Sequence, residues 1–422
     1  MRIAMLTNNY KPFIGGVPIS VERLTDGLKE IGHEVFVFAP SYDNQVYEEH
    51  VIRCKSKRSK KDRHVLPKIL DAKLEKEFRK LNIDVIHVHH PFLLGNVGLY
   101  LGRKYNVPVV FTYHTRYEQY LHYVKAYSVI EERRQIENNK NLIYLEDKIL
   151  NYAKNNFVPK YLSKFANKCD MIFAPTNLIK ENLEDNGINT CIEIVPTGLE
   201  KGYFNSNIDE AQEIRSKYKG NKKYLFCTVA RLVKEKNLEF IVEALSKLKE
   251  KEGDCFNLIM IGDGPLKDEL MNKAKSLNLE RNIIFLNSIK NEKIGNYYKA
   301  CDMFLFSSKS ETQGIVLLEA MAAKNPVIAI KASGVIDVVK NNINGYMTND
   351  NIEDWVEKIS YLMNNESYME NLSQGAYDTS LKYLNSNIAK LVESHYEKVI
   401  ENYCCKNQIY KKFVSLVSQH VN

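Results

Sequence analysis

Two carboxylates stand eight residues apart in the run Ser310-Glu311-Thr312-Gln313-Gly314-Ile315-Val316-Leu317-Leu318-Glu319. The apolar stretch Met303 to Phe306 ahead of them reads as a buried parallel strand, and Gly314 opens a strongly helix-forming run. Glu311 is thus expected beyond a strand's carboxyl end, and Glu319 on the helix that follows. The backbone N–H groups of Gly314, Ile315 and Val316 at the helix start, with Gln313 in the same loop, would offer donors to an anion. A ligand with a diphosphate flanked by two polyhydroxy rings would satisfy both the donors and the carboxylates. An ordinary amphipathic helix with one exposed Glu accounts for the same spacing.

Cations complement these acids. In Arg231-Leu232-Val233-Lys234-Glu235-Lys236-Asn237 a guanidinium and an ammonium lie five residues apart, where a strand ending at Ala230 gives way to a helix. A fork and a point charge there make a compact diphosphate site. As structural features they would oppose the helix macrodipole. Gly15-Gly16 follows the first strand, where glycine lets backbone approach a phosphate, although a tight turn would use it equally well. It is not G-x-G-x-x-G, so a dehydrogenase-type dinucleotide site gains no support. Gly262-Asp263-Gly264-Pro265 makes a sharp turn by itself. His114 lies just past the strand Val109 to Thr112 and suits a ligand hydroxyl, whereas His89 and His90 suit structural hydrogen bonds. No H-E-x-x-H and no cysteine pair accompanies them, so neither a metal nor a tightly bound cofactor is expected.

Such groups need strand ends to hold them. Strands and helices alternate from Arg2 to Val195 and start afresh at Tyr224, which predicts two Rossmann-like, doubly wound α/β domains with parallel sheets facing a cleft. The expected division is 1–198, 199–385 and C-terminal helices over 386–422, the last from Tyr403 packing back on the first domain. A charged, tyrosine-rich helical insertion occupies 116–168. The 422-residue length and 44% apolar content accommodate two cores. No apolar run approaches 18 residues, and Met1 to Thr7 reads as a strand too short for a signal segment, so a cytoplasmic protein without a membrane span is expected. The eight cysteines lack any C-x-x-C and read as reduced thiols.

The net charge of +7 is concentrated in Arg53, Lys55, Lys57, Arg58, Lys60, Lys61 and Arg63. A solvated loop or an anionic lipid surface accounts for that run. Nucleic acid is disfavoured, because no nucleic-acid-binding motif accompanies the charge. Residues Val65 to Leu81 can form a basic amphipathic helix, which extends the candidate membrane segment over 53–81, although a surface helix packing on the protein's own core accounts for the same pattern equally well.

Taken jointly, Gly15-Gly16, His114, Arg231 with Lys236, Gly262-Asp263-Gly264-Pro265 and Glu311 with Glu319 resemble the retaining nucleotide-sugar glycosyltransferases of family 4, with the GT-B fold. The stretches His114 to Tyr123 and Ser310 to Gly314 look like the bacterial 1,2-diacylglycerol 3-glucosyltransferases of glycolipid synthesis. This resemblance implies that Arg231 and Lys236 hold the donor diphosphate, Gly16 approaches the phosphates, and Glu319 accepts from the ribose. Glu311 and His114 would hold donor-sugar hydroxyls, with Gly262, Gly264, Gln313, Gly314, Ile315 and Val316 around the donor. Front-face attack would then let the leaving phosphate take the acceptor proton. Tyr117, Tyr120 and Tyr123 become acceptor-side candidates, although Val124-Lys125-Ala126-Tyr127 departs from the proline usual after this motif. The implied activity moves glucose from UDP-glucose to diacylglycerol, peripherally on the inner face of the cell membrane. A soluble-sugar, protein or phosphatidylinositol acceptor, a nucleotide-sugar epimerase and a non-catalytic partner subunit stay open as alternatives, as do the base, the hexose, the number of sugars added and the oligomeric state.

Overall fold

The computed structural model describes residues 1–13, 15–58, 65–67, 71–114, 157–309 and 311–420, with 57–58, 65–66 and 406–420 described by backbone alone. Ser310, Lys60, Lys61, Tyr117, Tyr120, Tyr123 and residues 116–156 of the expected insertion lie outside the described residues. The chain divides into two units, Met1–Pro196 with Ile388–Asn422, and Thr197–Asn387.

The strands of the first unit are β1 (Arg2–Leu6), β2 (Glu34–Pro40), β3 (Val51–Cys54), β4 (Ser56–Arg58), β5 (Val65–Pro67), β6 (Val85–Val88), β7 (Val109–Thr112), β8 (Met171–Ala174) and β9 (Ile192–Ile194). Seven of them form a parallel sheet in the order β3-β2-β1-β6-β7-β8-β9, and β4 and β5 make a separate antiparallel pair. The chain winds outward in both directions from β1, so β1 and β6 flank a topological switch point. Alternate residues of the central strands feed cores on opposite faces. Ala4, Leu6, Ile86 and Val88 enter one, and Ile3, Met5, Val85 and Val110 enter the other. Each fully buried aliphatic side chain contributes roughly 1.5–3 kcal/mol.

The second unit repeats the plan with β10 (Tyr224–Val229), β11 (Phe256–Ile261), β12 (Ile283–Leu286), β13 (Met303–Phe306), β14 (Val327–Ile330) and β15 (Gly345–Thr348). They form a parallel sheet in the order β12-β11-β10-β13-β14-β15. Here the order reverses between β10 and β13, which places the loops carrying Lys236 and Glu311 after neighbouring strands.

Several elements differ from the sequence expectation. The helix proposed over Val65 to Leu81 is confined to Ala72–Lys80, and Val65–Pro67 is a strand. Pro67 disfavours helix at the residue before it, and the Asp71 carboxylate caps the helix by accepting from Lys73 N–H at 3.0 Å. Leu74 and Phe78 are each 2% exposed in the first unit's core, so the apolar face of this helix is already occupied. Next, Val51–Cys54 is an edge strand, and its Arg53 is held by Glu48 at 3.2 Å and by the Pro40 carbonyl at 3.1 Å. Finally, the expected helix from Tyr403 is the end of one 36-residue helix, Asn385–His420, whose Ile388, Ala389, Val392, Tyr396 and Val399 enter the first unit's core.

Candidate functional site

In the second unit, the loop after β10 does not open a helix at Arg231. Lys234–Lys236 form a single 3-10 turn, Asn237 is left-handed with φ 52°, and the α-helix starts at Leu238. This detour carries Lys236 to the loop after β13. Its Nζ lies 2.5 Å from Glu311 Oε1, and each side chain is 17% exposed. Two buried hydroxyls fasten the same loops: Ser307 donates to the Lys236 carbonyl at 2.9 Å and Ser308 to the Glu235 carbonyl at 3.4 Å. The Ser333 hydroxyl donates to the Glu311 carbonyl at 2.5 Å. Lys236 and Glu311, read from the sequence as separate groups, are thus one ion pair on a braced double loop. Arg231 is more exposed and pairs with Glu235 at 3.1 Å.

Beyond Glu311, Gly314 takes φ +71°, a left-handed conformation that costs glycine little, and the helix Ile315–Ala322 follows. The first-turn N–H groups of Ile315 and Val316 have no carbonyl four residues back within that helix, so they form its positive end. Glu319 is 8% exposed and accepts from the Tyr298 hydroxyl at 3.3 Å. Burial, reinforced by the Glu319 charge, pushes the Tyr298 phenol well above its usual range and keeps it a donor.

Gln313 and the glycine turn serve the unit's own packing. The Gln313 amide accepts from Thr197 N–H at 2.7 Å and donates to Thr197 carbonyl at 3.1 Å, which commits the side chain to the chain's entry into this unit. In Gly262-Asp263-Gly264-Pro265, a Cβ on Gly262 would lie 1.9 Å from the Ala230 carbonyl oxygen, and one on Gly264 2.4 Å from that of Leu232. Backbone crowding between two adjacent loops therefore requires glycine at both positions without a ligand.

In the first unit, Gly16 begins the helix Gly16–Glu30, and a Cβ built there meets, among the described residues and outside its own helix backbone, no atom within 4 Å. The imidazoles gather at the ends of β6 and β7. His87 is fully buried, with Nδ1 2.6 Å from the Tyr396 hydroxyl and Nε2 2.6 Å from Thr112 Oγ1. Burial lowers its pKa to about 3. His90 Nδ1 accepts from Asn8 N–H at 3.2 Å, and burial brings its pKa to about 4. His89 Nδ1 and His114 Nε2 are 2.9 Å apart, and both rings are held well below the ordinary imidazole range, chiefly by burial and further by neighbouring imidazoles. His114 is half-buried at the end of the described segment. Among the described residues no group of three or more His, Cys, Asp or Glu is placed to hold a metal ion.

Ser307, Ser308, Ser333 and Tyr298 carry the site's geometry but were missed from sequence. Only Ser307-Ser308, sitting between a strand and Glu311, left a local signal.

Lys57 and Arg58 lie on the antiparallel pair β4–β5. Among the described residues no helix is long and apolar enough to cross a membrane.

Residues 14–201 match the family model described as Glycosyltransferase Family 4, and residues 209–379 match Glycosyl transferases group 1. The alpha-monoglucosyldiacylglycerol synthase of Acholeplasma laidlawii is 30% identical over 412 residues, covering 95% of this chain and 98% of that protein. The synthase of the same name from Streptococcus pneumoniae is 31% identical over 340 residues, covering 78% of this chain and 71% of its own. Among solved structures, Anabaena HepE in complex with UDP superposes with a TM-score of 0.72 at 17% identity, covering 94% of this chain and all of that one. Sucrose-phosphate synthase from Thermosynechococcus elongatus gives 0.70, also at 17% identity, over 95% and 99% of the two chains.

Proposed function

We propose, for a chain that belongs to glycosyltransferase family 4 and is a hexosyltransferase of two Rossmann-like domains, that it moves glucose from UDP-glucose to 1,2-diacylglycerol with retention at the anomeric carbon. The observation that carries this reading is the 30% identity to a monoglucosyldiacylglycerol synthase over 95% of the chain. Likeness of that extent covers the acceptor-side unit as well as the donor-side one. Neighbouring structures that hold UDP support a uridine nucleotide.

The second unit would hold the donor. Arg231 and Lys236 would meet the diphosphate, and Glu319 the ribose. Glu311 would position a sugar hydroxyl, with its carboxylate oriented by the Lys236 ammonium at 2.5 Å. As the bond to the sugar breaks, charge grows on the departing diphosphate. Arg231, Lys236 and the N–H groups of Ile315 and Val316 supply fixed positive charge to meet it. In the first unit, an uncharged His114 suits a sugar hydroxyl, and the open space over Gly16 suits an anionic group approaching the backbone.

For the lipid, the cationic element would be the β4–β5 hairpin with Lys57 and Arg58, together with Lys60, Lys61 and the exposed Lys55, attracted to an anionic leaflet by roughly 1 kcal/mol per charge. The helix Ala72–Lys80 would not insert, because Leu74 and Phe78 are spent on the core. Incubation of the purified enzyme with a panel of nucleotide sugars and mixed acceptors tests the reading. The expected product is a monoglucosylated lipid that partitions into organic solvent. Product confined to an aqueous acceptor, or sugar interconversion with no acceptor, would overturn it.

A further inference from the structure

Three adjacent strands deliver a thioether and two imidazoles into one line. Met5 lies on β1, His89 just past β6 and His114 just past β7. Met5 Sδ is 3.2 Å from His89 Nε2, and His89 Nδ1 is 2.9 Å from His114 Nε2. We propose that Met5 and His89 set the tautomer of His114, so that His114 meets substrate with an unprotonated Nδ1 and accepts a hydrogen bond from a sugar hydroxyl.

Met5 is the member of the line whose hydrogen-bonding role is fixed. A thioether sulfur accepts but cannot donate, so the His89 nitrogen facing it carries the ring proton. The other tautomer would aim a lone pair at the sulfur's lone pairs. His89 is 1% exposed and uncharged, which allows it one proton only. Its Nδ1 is therefore an acceptor, and the shared hydrogen bond must come from His114 Nε2–H. His114 is uncharged too, so that proton is its last, and Nδ1 keeps its lone pair. A ring in this state accepts a hydrogen bond from a hydroxyl at Nδ1 and has no N–H left to donate to a phosphate oxygen, which assigns His114 to the sugar and not to the diphosphate. His89 is then a positioning residue that touches no substrate. The assignment of the hydroxyl rests on the glycosyl-transfer reading; the tautomer does not.

Long-range proton–nitrogen spectra of the full-length protein, labelled with 15N in its histidine rings, read the tautomer directly, with His114→Asn identifying the signals. The expected result is a proton on Nε2 of both His89 and His114, and a second His114 tautomer emerging in Met5→Leu, a volume-conserving change that cores tolerate. A wild-type His114 protonated on Nδ1 overturns the proposal. Kinetics supply the second arm. His89→Leu should lower kcat/KM by at least about tenfold, while His89→Asn, whose amide oxygen can stand where Nδ1 stood, should stay within about threefold of wild type. Equal impairment of both variants in folded protein overturns the positioning role. Absence of any hexose transfer by the wild type would overturn the proposed activity alone and leave the spectra to decide the tautomer.

Discussion

The Lys236–Glu311 pair yields a prediction that separates stability from catalysis. Its 2.5 Å contact joins two side chains that are each 17% exposed, so neither charge is fully solvated once the other is removed. A charge-assisted hydrogen bond of this kind is worth about 1.5–3 kcal/mol net, and the orphaned partner adds desolvation cost. Glu311→Ala and Lys236→Ala should each destabilise the protein by about 2 kcal/mol, seen as a melting temperature lowered by about 4–8 °C for a unit of this size. The double variant should be no less stable than either single one, since each substitution already forfeits the interaction. Turnover, followed as release of nucleoside diphosphate, should fall at least about tenfold in each single variant, the equivalent of 1.4 kcal/mol in the transition state. In the double variant it should fall little further, because the two groups act as a unit. Losses of stability that add within about 0.5 kcal/mol would refute the pairing. Near-normal turnover in a folded single variant would refute the catalytic role.

Other consequences can be checked separately. His87 binds its proton more weakly in the folded state, with a pKa of about 3 against an ordinary 6.5, so the unfolded chain binds more protons between those values. Stability is therefore complete above pH 6.5 and declines as the pH falls toward 3, with a slope approaching about 1.4 kcal/mol per pH unit for this residue. Urea midpoints at pH 7 and pH 5 should differ less in His87→Gln than in wild type, and an unchanged difference would contradict a buried neutral His87. Gly264→Ala should destabilise by more than about 2 kcal/mol by driving a methyl against the Leu232 carbonyl, whereas Gly16→Ala should alter stability by less than about 0.5 kcal/mol and still slow transfer. Circular dichroism melts beside rate measurements decide the contrast; normal rates in Gly16→Ala would remove that glycine from the site. Charge reversal at Lys57, Arg58, Lys60 and Lys61 should reduce sedimentation with anionic vesicles at low salt, and equal binding would exclude the basic hairpin as the lipid contact.

The parallel strands are legible in the sequence because they are buried on both faces and write themselves as short continuous apolar runs, such as Met303 to Phe306 and Val109 to Thr112. Val51–Cys54 escapes that test because Arg53 interrupts it, and Glu48, the Pro40 carbonyl and the rings of Tyr10 and Tyr42 make the arginine acceptable beside the sheet. Long-range pairings escape it altogether. Lys236 and Glu311 are 75 residues apart, and His87 and Tyr396 are 309 apart, separations over which no periodicity runs. The motif residues could be located one at a time, but their partners could not, because partnership is decided by which strands become neighbours.

Glycine shows the same division at single positions and turns it into a criterion. Gly262 and Gly264 look as functional in the sequence as Gly16, since all three follow strands and precede helices. The fold separates them: carbonyls of the adjacent loop crowd the first two, so their lack of a side chain is settled by packing, while at Gly16 no atom of the described residues outside its own helix backbone lies within 4 Å of an added Cβ. A glycine that the fold does not need must be accounted for by what approaches it. Of the three, Gly16 is therefore the position where a substitution should separate folding from activity.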